Sequence, residues 1–182
     1  MSKPSLVIVV VEDDHHEMLV RRYLKKRGLV EHQMTIKRSP SAGGSAENWV
    51  RKSFAKEVSV YRNRHAQTAL IAVIDADVST VQDRLRQLNQ ALRENGQEPV
   101  DARTEQIARL APKRNIETWV LCLNGHGVDE ETNYKRTRDD WNELIPPAAE
   151  TLFQWTSSKG EPPDHCIESL RNGVKELKRL AF

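Results

Sequence analysis

The sequence predicts an α/β protein with a doubly wound, mostly parallel sheet and a helical C-terminal extension. Residues 6–11 and 69–74 are continuous aliphatic runs rich in β-branched residues. Runs of this length and composition are typical of central parallel strands that are covered on both faces. Each run is followed by a segment with helical periodicity, and alternating strands and helices favour a parallel sheet.

The first half of the chain contains two further elements between these strands. A helix is predicted over residues 15–27, ending before Gly28, a residue type common just past helix ends. Its apolar positions recur at helical spacing: Leu19, Val20, Tyr23 and Leu24. Residues 34–37 predict a short second strand, and the polar loop 39–45 follows. Ser45 is the expected N-cap of the next helix.

The segment after residue 74 continues the alternation. An amphipathic helix is predicted from Val81 to just before Gly96, with Leu85, Leu88 and Leu92 on its apolar face. Residues 106–110 predict a short strand, and Asn115 is the expected N-cap of a helix over residues 116–123.

The C-terminal extension is predicted to be helical after a polar loop. Pro147 is expected in the first turn of one helix, where proline is tolerated. Asp164 is expected to cap the last helix, whose inward positions are Ile167, Leu170, Val174 and Leu177. We therefore expect an α/β domain over residues 1–124 and a helical extension over 125–182 packed on the same domain.

Composition excludes several classes of protein. The chain has 182 residues, of which 38% are hydrophobic and 30% charged, so neither a disordered nor a membrane protein is expected. The longest apolar run, residues 6–11, is too short for a membrane span or a secretory signal, which predicts a cytoplasmic protein. Cys122 and Cys166 form no CxxC pair, and we expect both to be reduced and buried. A net charge of +2 permits nucleic-acid binding without requiring it.

Acidic residues follow both predicted central strands. Glu12 ends the first strand, and Asp75 and Asp77 follow the later one, so all three are expected at the carboxyl edge of the sheet. Carboxylates this close repel one another unless a cation neutralises them, and hard oxygen ligands without cysteine favour Mg²⁺ or Mn²⁺ over Zn²⁺. The alternative is that each acid caps the helix after it.

Two short motifs at these strand ends resemble the Toprim domain. Val9-Val-Val-Glu12 and Ile74-Asp75-Ala-Asp77 match its glutamate after the first strand and its later Asp-x-Asp. Toprim domains occur in topoisomerases, primases, some ribonucleases and the overcoming-lysogenization-defect (OLD) nucleases. Many members have glycine where this chain has Asp13, and OLD-type nucleases often have a second acid where this chain has His16. In this chain, Asp13 and Glu17 are the candidates to replace that second acid as a metal ligand.

A third motif, Pro112-Lys-Arg-Asn-Ile-Glu117-Thr-Trp, is similar to small Toprim-like proteins of bacterial defence loci. The resemblance implies that Glu117 is a fourth metal-binding carboxylate and that Lys113 takes part in catalysis. The dipole at a helix start favours an acid in any case, so the alternative for Glu117 is a role in stabilising that helix end. The alternative for Lys113 is an ordinary solvent-exposed turn, because most lysine side chains are exposed. Lys135 is a candidate for a lysine near the scissile phosphate.

Other residues carry weaker predictions. One of His15 and His16 could join the metal site or relay a proton, but we expect both at an exposed helix start. The loop at Gly43 and Gly44 could bind an anion or simply turn the chain. Basic residues on the second helix and beyond would hold a polyanion if they shared a face with the acids: Arg51, Lys52, Lys56, Arg62, Arg64, Arg84 and Arg109.

Together these observations predict a Mg²⁺-dependent (or Mn²⁺-dependent) nuclease that cleaves or nicks DNA in antiphage or mobile-element defence. The predicted metal ligands are Glu12, Asp75, Asp77 and Glu117. The resemblance also implies an ATPase partner supplied in trans, because this chain contains no ATPase motif of its own.

Two alternatives stay open. The run from Val9 to Asp14 resembles the acidic pair of phosphoacceptor receiver domains. Receivers, however, also need a lysine after a fifth strand and a proline shortly after the phosphoacceptor aspartate, and both are missing. The second alternative is a non-enzymatic Toprim subunit that assists an ATPase.

Overall fold

A computed structural model describes residues 3–40, 45–64 and 67–182. Within this part of the chain, four strands form one sheet in the order β2-β1-β3-β4, and all three pairings are parallel. The strands are β1 (Leu6–Val11), β2 (Met34–Arg38), β3 (Thr68–Val73) and β4 (Ile107–Leu110). Val9 pairs with Ile36 on one side and with Ile71 on the other, which makes β1 a central strand.

Six α-helices in the same described residues cover both faces of the sheet. They are α1 (Asp14–Lys26), α2 (Ala46–Asn63), α3 (Val81–Glu94), α4 (Ile116–Leu123), α5 (Trp141–Thr156) and α6 (Glu168–Lys178). One core cluster joins the sheet to α1, α4, α5 and α6, and a second joins the opposite face to α2 and α3. The predicted doubly wound, Rossmann-like α/β fold is therefore confirmed.

Local capping chemistry explains where most helices begin. The Asp13 carboxylate accepts hydrogen bonds from the backbone N–H groups of His15 and His16 at the start of α1. Ser45 and Asn115 accept equivalent bonds at the starts of α2 and α4, as predicted. Gly28 follows α1 with φ +80°, a left-handed conformation that glycine adopts without strain.

Two predictions for the C-terminal extension are wrong. Pro147 lies in the second turn of α5, because this helix already begins at Trp141. Burial of Trp141, Ile145 and Ala148 against the core outweighs the helix hydrogen bonds that the proline ring removes.

The anion-binding prediction for Gly43 and Gly44 lies outside the described residues.

Asp164 does not cap the last helix. The N-cap of α6 is Ile167, which has no capping side chain. Instead, the carboxylate of Glu130 accepts the N–H of Ser169 at 2.9 Å, from a loop 39 residues earlier in the chain. A tertiary contact therefore satisfies the helix end that the sequence pattern assigns to a neighbouring acid.

The chain connectivity defines a switch point in the sheet. From β1 the chain leaves through α1 to β2, and it then returns over the other face through α2 to β3 on the opposite side of β1. The carboxyl ends of β1 and β3 thus flank the crevice where doubly wound proteins bind ligands. No helix in the described parts of the chain is long and apolar enough to cross a membrane.

Candidate functional site

Glu12 and Asp75 meet at this switch point. The backbone N–H of Asp75 donates to Oε1 of Glu12 at 3.1 Å, which links the ends of β1 and β3. Burial, and after it the charge of Asp75, raise the pKa of Glu12 to about 7. At this part of the predicted acidic edge, a backbone hydrogen bond joins Glu12 to Asp75, and the two carboxylates lie close enough for their charges to interact.

His16 is the cation that faces Asp75. Its Nε2 lies 2.9 Å from Asp75 Oδ1, and its Nδ1 lies 3.3 Å from Asp13 Oδ1. Burial alone would lower the pKa of His16, but the charges of Asp75 and Asp13 raise it to about 9. Burial raises the pKa of Asp75, and the nearby His16 opposes that shift.

The expectation of an exposed His16 is wrong, because this side chain is fully buried. The sequence contains the signal: His16 lies on the same helical face as Leu19, Val20 and Tyr23, which pack against the sheet. The position where OLD-type nucleases often carry a second acid thus holds a base that pairs with the first Asp of Asp-x-Asp.

Lys135 reaches the same edge from the loop between α4 and α5. Its Nζ lies 2.8 Å from Asp13 Oδ2. Burial would raise the pKa of Asp13, but the charge of His16 and the hydrogen bond from Lys135 lower it to about 2. Burial likewise opposes the shift at Lys135, whose pKa is raised by Asp13. Asp13 and Lys135 therefore form a charged pair beside the Glu12–Asp75 pair.

Asp77 faces a different environment from Asp75. The Asp77 side chain is 63% exposed, whereas Asp75 as a residue is 3% exposed. Asp77 has φ +49° and bridges to Arg114, which has φ +65°. This left-handed backbone ends the strand geometry after Asp75, so the two aspartates do not share one environment at the carboxyl edge. Arg84 Nη2 lies 3.9 Å from Asp77 Oδ2.

Glu117 is held by His15. Its Oε1 lies 2.7 Å from His15 Nδ1, and its carboxylate is fully buried in the first turn of α4. Its Oε2 is buried without a hydrogen-bond partner among the described residues. No local sequence pattern pairs these two residues, which lie 102 residues apart.

Lys113 contacts other groups than the carboxylate pair. Its Nζ donates to the carbonyl oxygen of Ser79 at 3.0 Å and lies 3.9 Å from Glu131. Arg62, one of the predicted polyanion-binding residues, bonds Glu105 at the other end of α2. Arg84 pairs with Glu47, and Arg109 bonds Asn89. These three arginines are engaged in contacts within the fold.

The donor groups at the carboxyl edge determine whether a divalent metal fits there. In residues 3–40, 45–64 and 67–182, no set of three or more His, Cys, Asp or Glu side chains is arranged to hold a metal ion. Mg²⁺ needs only one or two protein carboxylates when substrate phosphates and water complete its shell. Glu12 and Asp75 supply two oxygen donors, so the chemistry of the pair fits Mg²⁺ or Mn²⁺.

Comparison with known proteins identifies no relative of this chain. No family model, curated protein or solved structure matches the chain. The Toprim resemblance therefore stays a prediction that rests on the three motifs.

Proposed function

We propose that the protein is a divalent-metal-dependent phosphodiesterase that cleaves or nicks DNA. The observation that carries the proposal is the pairing of the half-buried Glu12 with the buried Asp75 at the switch point of the sheet. Asp75 is paired with His16 and Asp13 with Lys135, whereas Glu12 forms no ion pair within the described residues. Glu12 is therefore the acid in this group that a bound cation would stabilise most.

Glu12 and Asp75 would hold the metal. The exposed Asp77 carboxylate, two residues after Asp75, is the next oxygen donor along the chain. When bound, Mg²⁺ or Mn²⁺ polarises the phosphoryl group and lowers the pKa of the attacking water. Glu12 would also be the carboxylate that accepts a proton from that water. The Lys135 ammonium, next to Asp13, supplies positive charge for a substrate phosphate.

The wider setting follows from the resemblance. A Toprim-like chain without an ATPase motif is expected to work with an ATPase supplied in trans, in antiphage or mobile-element defence. We place the activity in the cytoplasm, where the free, buried Cys122 and Cys166 stay reduced.

The receiver alternative is less well supported. The described residues contain four strands and thus lack the fifth strand that carries the receiver lysine.

Plasmid nicking tests the proposal. The chain, alone and together with the products of adjacent genes, is assayed with Mg²⁺, Mn²⁺, Ca²⁺ or EDTA. Glu12→Gln keeps an acceptor for the Asp75 N–H but removes the charge, and the matched control is Glu94→Gln at the exposed end of α3. We expect cleavage with Mg²⁺ and Mn²⁺, none with EDTA, and a loss of about 10²-fold or more in Glu12→Gln alone.

Two results would contradict this function. One is DNA cleavage that survives Glu12→Gln unchanged. The other is the absence of cleavage of both DNA and RNA by the full set of proteins, which would favour a non-enzymatic role.

A further inference from the structure

Cys122 and Cys166 meet between the last turn of α4 and the start of α6. They are 44 residues apart and are the only cysteines of the chain. Both belong to the buried cluster that joins the sheet to α1, α4, α5 and α6. The Cys166 thiol has two acceptors, the sulfur of Cys122 and the carbonyl oxygen of Ile167, which lies 3.5 Å from Cys166 Sγ. The fold therefore makes the two sulfurs direct neighbours.

The surroundings of Cys122 favour its thiolate form. Besides the thiol of Cys166, the backbone N–H of Ile167 donates to the Cys122 sulfur. Ile167 is the N-cap of α6 and has no capping side chain, so this sulfur lies where the helix dipole is positive. The hydrogen bond from Cys166 lowers the pKa of the Cys122 thiol, although burial and the charge of Glu130 oppose that shift.

Cys166 has the opposite character. Its hydrogen bond to Cys122 and its burial raise the pKa of the Cys166 thiol, which therefore stays protonated. The pair thus combines one nucleophilic sulfur with one thiol beside it. Oxidisable cysteine pairs divide their roles in this way, because a thiolate attacks the oxidant and a resolving cysteine completes the disulfide.

A small oxidant has a short path to the pair. Cys122 and Cys166 are 5% and 7% exposed. Cys166 belongs to the segment 161–167, which contains no helix or strand, and the preceding residue, His165, is exposed. Hydrogen peroxide therefore reaches the Cys122 sulfur after a local displacement of this segment, without unfolding of a helix.

We propose that hydrogen peroxide converts Cys122 and Cys166 into a reversible disulfide that locks the C-terminal helices on the α/β domain. The Cys122 thiolate attacks one peroxide oxygen and forms a sulfenic acid. The O–O bond breaks, and the hydroxide that leaves takes a proton from solvent to become water. The Cys166 sulfur then attacks the Cys122 sulfur, the S–O bond breaks, and the oxygen leaves with the Cys166 proton as a second water. A cellular dithiol reduces the disulfide and is itself oxidised.

The disulfide closes a long loop that contains α5 and Lys135, the partner of Asp13 at the carboxyl edge. Closing such a loop removes conformations from the unfolded chain, so the oxidised protein is more stable than the reduced one. The redox state of the pair thus controls how firmly the C-terminal helices are held, whatever reaction the protein catalyses.

Tryptic mapping without reduction tests the disulfide. The full chain is treated with hydrogen peroxide, and the remaining thiols are alkylated in urea before digestion. The wild type should yield residues 115–135 joined to residues 160–171, and dithiothreitol should separate these peptides. Cys166→Ser keeps a hydrogen-bond donor to Cys122, so Cys122 should stop at the sulfenic acid and react with dimedone. In Cys122→Ser, Cys166 should be oxidised about tenfold more slowly or less, because it stays a protonated thiol.

Urea unfolding of the oxidised and reduced wild type tests the locking role. The oxidised form should have the higher urea midpoint, and peroxide should leave the midpoint of Cys166→Ser without such a rise. Two thiols that stay free in peroxide-treated wild type would overturn the proposal. So would a disulfide between two chains, or oxidation of both single variants at the same rate. Equal midpoints of the two wild-type forms would show that the bond does not lock the helices.

Discussion

Acids that are close in sequence differ here because each has a different partner. The charges of His16 and Lys135 lower the pKa of Asp13 to about 2, whereas burial and Asp75 raise that of Glu12 to about 7. The two residues are adjacent in the chain, so their environments and not their intrinsic chemistry separate them. Glu12 and Asp75 thus bind a proton more readily than free carboxyl groups do, whereas Asp13 stays charged beside His16 and Lys135.

The stability of the metal-free protein should fall as the pH rises from about 5 to 9. Glu12 has a folded pKa of about 7 against an ordinary value of 4.5, so its contribution is complete below 4.5 and is lost as the pH passes 7. His16 has a folded pKa of about 9 against 6.5, so its contribution is lost between those values. The total loss is on the order of a few kcal/mol.

Urea unfolding in EDTA at several pH values measures this dependence. Glu12→Gln serves as the matched variant, since it should remove the part of the slope between pH 4.5 and 7 and leave the part above it. A free energy of unfolding that stays level or rises toward pH 9 would contradict the assigned pKa shifts.

Removing the charge from each aspartate of Asp-x-Asp should have unequal effects on stability. Asp75→Asn breaks a buried pair and leaves His16 without its main partner, so we expect a loss of about 3–5 kcal/mol. Asp77→Asn changes an exposed side chain, and asparagine tolerates φ +49°, so we expect a change within about 0.5 kcal/mol. Urea unfolding without metal compares the two, and equal losses would show that Asp77 is a structural residue.

At the scale of elements, α4 and α6 pack closely through a tryptophan and a glycine. Trp119 is buried, and its indole N–H donates to Ser169 Oγ at 2.8 Å. A Cβ atom added at Gly173 would overlap the Trp119 ring. The glycine in the middle of α6 is therefore explained by this contact, although it lowers helix propensity.

Gly173→Ala should destabilise the protein by about 1–3 kcal/mol, because overpacking outweighs the gain of about 1 kcal/mol in helix propensity. Urea unfolding followed by tryptophan fluorescence measures the change. Asn172→Ala, on the preceding residue of the same helix, is the control and should be nearly neutral. A stabilised Gly173→Ala variant would mean that α6 moves away from α4 without cost.

For the whole molecule, the C-terminal helices complete the core on one face of the sheet. Trp141, Ile145, Leu152, Leu170 and Val174 belong to the same buried cluster as residues of β1 and α1. Arg27 at the end of α1 also donates to the carbonyl oxygen of Thr156 at 2.5 Å. The extension thus covers apolar surface that the strands would otherwise expose to water.

A chain that ends at residue 140 should lose cooperative unfolding. Its β1–α1 face would expose the apolar side chains that α5 and α6 cover. Calorimetry of this truncated chain and of the full chain makes the comparison. A cooperative transition in the shorter chain would show that residues 1–140 fold without α5 and α6.

The sequence by itself determined the fold class, most element boundaries and the position of the acids. Hydrophobic periodicity and capping residues act over a few positions, so β1, α4 with its Asn115 cap, and Gly28 after α1 were predicted correctly. Strand ends also placed Glu12 and Asp75 at one edge, because parallel strands share their carboxyl side.

Only the tertiary structure decided which charges pair. The contacts of His16 with Asp75, His15 with Glu117 and Lys135 with Asp13 span 59, 102 and 122 residues. The left-handed turn that exposes Asp77 likewise depends on a bridge to Arg114, 37 residues later in the chain. No local pattern encodes such pairings, because the energy of a buried charge depends on the groups that the whole fold brings around it.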